Sequence, residues 1–165
     1  MKSTIKRILR EEYDKGLTLS TFNNLPYEYK RSLMTYMVSG EPVEWTEDVP
    51  SDPSLIDWYN EDVVNDIIEQ YTNVHGNKKF LYGIMNTNDI IKGIKKYDFD
   101  WDDFNEYHQW YQADNPYDHT DSLFPIMLSS DKDLESGGEY IEDGWHRFHS
   151  YIKNGITNIP VIKFV

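Results

Sequence analysis

The chain has 165 residues, 39% of them apolar and 15% aromatic, which is enough for one core and unlike a disordered composition. It has no cysteine, which excludes a disulfide scaffold, a thiolate zinc site and a thiol nucleophile. Its net charge of −13 is unevenly spread: Glu41 to Asn77 and Tyr97 to Asp131 contain ten and nine acidic residues and neither holds a Lys or Arg, so a basic stripe for non-specific DNA or RNA binding is not expected over most of the surface.

No apolar run approaches the roughly 18 residues of a membrane helix, and no long apolar stretch follows the basic residues of Met1–Leu9. Neither a membrane span nor a signal peptide is therefore expected, and the expected location is the cytoplasm. The two acidic blocks have two readings. They form a solvated face that keeps the protein soluble, or they imitate a phosphate backbone and dock on a basic partner.

In chain order, residues 2–15 read as a short charged helix stopped by Gly16. Residues 20–39 read as a second helix, with Leu25, Tyr29, Leu33, Tyr36 and Met37 at helical spacing. Pro42, Pro50 and Pro53 mark 41–56 as a loop. Asn60 caps a helix over 61–72, with Val63, Val64, Ile67, Ile68 and Tyr71 inward. Phe80–Met85 suits a buried strand. Asn86–Asn88 supply caps for a helix over 88–97, and a further helix is expected over 102–112, followed by a polar loop over 113–121.

Leu123–Leu128 reads as a strand entered through Pro125. A polar connection over 129–138 leads to a second strand at Glu139–Glu142, and the two form a long-looped hairpin. Residues 145–153 read as a helix stopped by Asn154-Gly155, and Ile159–Val165 as a last strand. The expected class is α+β: a small mixed sheet with packed helices over 78–165, preceded by an acidic helical N-terminal segment over 1–77.

The chemistry concentrates where the second hairpin strand runs into a helix, at Asp143-Gly144-Trp145-His146-Arg147. The first N–H groups of a helix lack intrahelical acceptors and carry partial positive charge, so they favour an anion. Gly144 lets a ligand approach the backbone. Arg147 brings a planar fork that fits phosphate oxygens, and His146 offers further donors. Asp143 caps the helix, orients His146 or Arg147, or holds a divalent metal. The plain alternative is a cap, a turn glycine and two surface side chains.

This segment resembles the ParB/sulfiredoxin-like superfamily, in the version whose signature reads Asp-Gly-X-His-Arg. Phe124–Leu128 resembles the family's preceding strand, Phe148–Gly155 its following helix, and Ile159–Lys163 its closing strand after an Ile-Pro entry. Residues 122–165 are covered well, 78–121 loosely, and 1–77 have no counterpart. The resemblance implies a nucleotide or phosphate pocket at the turn. Asp143 and His146 are then the candidate catalytic residues; Gly144, Trp145, His146 and Arg147 the candidate binding residues; and ATP or CTP with Mg²⁺ on Asp143 the candidate cofactor. Phosphoryl transfer or phosphodiester or nucleotide hydrolysis is the expected reaction.

Two departures exclude particular members. The partition proteins' Gly-Glu-Arg-Arg signature and following helix-turn-helix are not in this chain. Trp145 stands where sulfiredoxin has its reactive Cys, so sulfinic acid reduction by that chemistry is excluded. The alternative function is an acidic inhibitor of the phage or mobile-element, anti-defence kind, binding a basic nucleic-acid-binding host protein by charge mimicry. His146 and His149, three apart on one helical face, form with Asp143 a weaker metal reading. Asp98 to Asp103 lack the Gly and Glu that a calcium loop needs.

Overall fold

The computed structural model describes residues 16–40, 56–98 and 124–165. The expected helices over 2–15 and 102–112, the loop over 113–121 and nearly all of the loop over 41–56 lie outside them.

Five strands form one mixed sheet. They are β1 (Leu17–Thr21), β2 (Lys79–Asn86), β3 (Ile126–Leu128), β4 (Ile141–Asp143) and β5 (Asn158–Phe164). Their order is β1-β2-β5-β3-β4, with β3 parallel to β5 and the other neighbours antiparallel. Among the described residues five α-helices join them: α1 (Tyr27–Gly40), α2 (Glu61–His75), α3 (Thr87–Tyr97), α4 (Asp131–Glu135) and α5 (Trp145–Lys153).

The sheet is apolar on both faces because side chains alternate along each strand. Phe80, Met127 and Ile162 join Phe22, Leu33, Val64 and Ile67 in a core beneath α1 and α2. Ile126, Leu128, Ile159 and Val161 join Ile90, Ile94, Phe148 and Tyr151 in a second core beneath α3 and α5. Adjacent residues Val161 and Ile162 thus serve opposite cores. A central strand buried on both faces needs such an unbroken apolar run, and burial of each large side chain contributes roughly 1.5–3 kcal/mol.

Several elements arise as their residues dictate. Asn60 accepts a hydrogen bond from the Asp62 N–H at 3.0 Å, and Asn86 one from Asn88 at 2.8 Å, which starts α2 and α3 where the cap chemistry places them. Val64, Ile67, Ile68 and Tyr71 are the buried face of α2. The helix over 145–153 and the antiparallel hairpin are present as expected.

The structure corrects four expectations. Residues 20–26 are not part of the α-helix: β1 runs to Thr21, a 3₁₀ helix covers Phe22–Asn24, and α1 starts after Pro26. Proline lacks an N–H, so it suits a helix start, where that donor has no intrahelical acceptor. The connection over 129–138 holds the short helix α4, started by Ser130, whose Oγ accepts from the Asp133 N–H at 3.2 Å. The strand expected at Glu139–Glu142 is displaced to Ile141–Asp143. The N-terminal segment is also not wholly helical. It supplies β1, which pairs with β2 across residues 77 and 78, and its helices share a core with Phe80.

Candidate functional site

The strand–turn–helix arrangement expected around Asp143–Arg147 is present. β4 ends at Asp143, and α5 begins at Trp145. Gly144 between them has φ 100° and ψ 22°, a left-handed conformation that glycine adopts without Cβ strain. Gly144, and not Asp143, is the N-cap, and it supplies no side-chain acceptor to the first turn. A Cβ at 144 would lie 2.9 Å from Arg147 Nη2 and 3.1 Å from Ile126 Cγ2. Glycine is required by its φ, and a Cβ there would also displace the end of the guanidinium folded against it.

Arg147 is held from two sides. Its Nη2 donates to the Pro125 carbonyl at 3.2 Å and to Asp143 Oδ2 at 3.3 Å. Both lie at the long end of ordinary N–H···O distances. The Arg147 side chain is 19% exposed and Asp143 42% exposed. Arg147 Nε is buried and makes no hydrogen bond. The result is a guanidinium fixed beside a left-handed glycine at a helix start.

The other signature residues diverge. Trp145 is half-buried, and its indole N–H donates to Glu139 Oε2 at 3.1 Å while its ring stacks on His149 with centroids 6.0 Å apart. His146 is exposed, whereas His149 is fully buried. The reading of His146 and His149 as a metal pair is thereby corrected: shared helical spacing does not help when one of the two rings belongs to the core. Among the described residues no group of three or more His, Cys, Asp or Glu side chains is arranged to hold a metal.

Strand alternation separates the two acids that precede the turn. Asp143 meets Arg147 of α5, whereas Glu142 accepts hydrogen bonds from Tyr36 of α1 and from Ser129 at 3.1 Å. Glu142 is thus engaged elsewhere, and Asp143 is the carboxylate beside the turn.

One ionisable residue stands out that the sequence marked only as part of an incomplete calcium loop. Asp98, just past α3, is 9% exposed and accepts from the Tyr140 N–H at 3.3 Å through Oδ1, while Oδ2 has no partner. Burial pushes its pKa up to about 6; the Tyr140 hydrogen bond opposes this and Glu139 adds to it. No local pattern marks its burial, because the residues that bury it include Tyr140, 42 positions away.

Two open surface hollows lie elsewhere, one around the end of α2 at Thr72–Lys78 and one along β1. No protein-family model, curated protein or solved structure matches the chain.

Proposed function

We propose that the β4–α5 turn binds the phosphate of a nucleotide-class ligand, in a fold of the ParB/sulfiredoxin-like type. The observation that carries this reading is Arg147, whose guanidinium lies against the left-handed Gly144 at an N-terminus without a side-chain cap. A phosphate oxygen there would meet backbone donors, the dipole of α5 and a planar cation together. The exposed His146 is a further side chain on the turn able to hydrogen-bond a bound ligand. Trp145, pinned by Glu139, offers an indole beside the same turn.

Mg²⁺ fits the site in a limited way. It binds nucleotides through one or two carboxylates plus phosphate oxygens, and the accessible Asp143 is the carboxylate that would hold it. When bound, the ion neutralises phosphate charge. Asp143 would then exchange part of its contact with Arg147 for the metal, which frees Nη2 toward the phosphate. Phosphoryl transfer or hydrolysis is the reaction class that this arrangement favours.

Thermal melts with ATP, CTP, GTP and ADP, each with and without Mg²⁺, test the reading. A ligand that binds only the native state raises the melting temperature by mass action. The expected result is a rise with at least one nucleotide that Arg147→Ala abolishes. Absence of any rise at millimolar nucleotide would remove the proposal.

A second reading has one specific support. The solvent face of α2 presents Asp62, Asp66 and Glu69, all exposed, at helical i, i+4, i+7 spacing. Like charges so placed cost a few tenths of a kcal/mol per pair, and they make a negative ridge that suits a basic protein partner. A pull-down from host lysate at low and high salt tests it. Partners held equally at both salts would count against charge mimicry.

A further inference from the structure

Among the described residues, strand β1 lies at the edge of the sheet and pairs with β2 in continuous register from Leu17↔Gly83 to Thr21↔Lys79. Folded proteins usually guard such an edge with a proline, a charged side chain or a bulge. The sequence Leu-Thr-Leu-Ser-Thr contains none of these, and Leu19 is 54% exposed. An open hollow runs along the strand, lined by Thr18 to Thr21 and by Lys79.

The geometry points to β1 as a docking edge for an extended peptide that carries an apolar residue and an acidic residue two positions apart. Paired residues share a face of the sheet, so Leu19 with Leu81 and Thr21 with Lys79 lie on one side. A strand added outside β1 would set one residue against Leu19 and, two positions along, another against Thr21. The first finds an exposed leucine and is therefore apolar. The second is separated from Lys79 by two strand spacings, roughly 10 Å. Extended lysine and glutamate side chains span that distance across the short Thr21.

Lys79 is exposed and the preceding Lys78 is exposed as well. A chain with net charge −13 thus presents cations beside its unguarded edge. Main-chain hydrogen bonds supply the affinity in this mode, and the alternate side chains supply the selectivity. The inference is independent of the β4–α5 turn.

A phage-displayed library of random ten-residue peptides, selected on the full chain, tests it. Enriched peptides are then labelled and titrated by fluorescence anisotropy. The expected binders carry Val, Ile or Phe two positions from Asp or Glu. Binding should weaken about tenfold or more with Leu19→Lys and with Lys79→Glu, and Lys79→Glu should shift the preference at the acidic position to Lys or Arg. Both changes are at exposed positions, and melts of each variant confirm folding. The inference is overturned by selection without that pattern, or by binders indifferent to both substitutions. A dimer that Leu19→Lys dissociates would also overturn it, because the edge would then belong to a second copy.

Discussion

The ring of Tyr140 lies directly over Gly93 of α3. A Cβ at 93 would sit 2.5 and 2.6 Å from Tyr140 Cε2 and Cε1, closer than carbon atoms approach. The same ring stacks on Tyr97 with 4° between planes. Tyr140 is 4% exposed, so it has no room to withdraw.

Gly93→Ala should therefore destabilise the protein. Within a helix this change ordinarily stabilises by about 0.5–1 kcal/mol. Here the added methyl overpacks the α3–Tyr140 contact, which costs about 1–3 kcal/mol. Denaturant melts of the two proteins measure the sign. A rise in stability would show that Tyr140 moves aside freely.

Gly144→Ala should lower both stability and ligand response. The φ of 100° strains any residue with a Cβ, and the new atom presses on Arg147 Nη2 and Ile126 Cγ2. A loss of about 1–3 kcal/mol is expected. If nucleotide raises the wild-type melting temperature, the response should shrink even after correction for the lower starting stability. An unchanged response would separate Gly144 from binding.

Tyr151→Phe should cost about 1–3 kcal/mol. The fully buried Tyr151 donates to the Phe124 carbonyl and accepts from the Phe124 N–H, both at 2.8 Å. Phenylalanine fills the same space but leaves both backbone groups without that partner. Chemical denaturation of the variant checks this, and a change below a few tenths of a kcal/mol would show that water replaces the hydroxyl.

Asp98 sets a pH dependence of definite sign. Its folded pKa of about 6 lies above the ordinary aspartate value near 3.9. Between these values the folded state binds more protons than the unfolded state. This residue's contribution to stability is therefore full below about pH 4 and is lost as pH rises through about 6. Asp98→Asn removes the desolvated charge and keeps an acceptor for the Tyr140 N–H. Relative to wild type, the variant should gain stability between pH 5 and pH 7.5, on the order of 1 kcal/mol or a few degrees of melting temperature. Parallel stability curves for the two proteins would contradict the assignment.

How far the sequence reached can be followed element by element. Asn60 and Asn86 announced their helices because a side-chain cap acts within three residues, and the spacing of Val64, Ile67, Ile68 and Tyr71 gave the buried face of α2. Gly144 marked the turn because its left-handed backbone is a local requirement. β1 was missed because the helical spacing of Leu25, Tyr29 and Leu33 was carried upstream past Pro26, and because five residues are too few to display a period. Only the pairing of Leu19 with Leu81 shows their alternation to be a strand.

Everything that depends on distant partners was decided by the tertiary structure. It placed β5 between β2 and β3, and it sent Glu142 to Tyr36 and Asp143 to Arg147. It brought the Pro125 carbonyl to a guanidinium 22 positions away and buried the Asp98 carboxylate against Tyr140. Caps, turns and amphipathic faces are short-range consequences of residue type, so the sequence by itself determined them. The surroundings of a charge are set by whichever segments the folded sheet and helices bring beside it, and no local spacing encodes those.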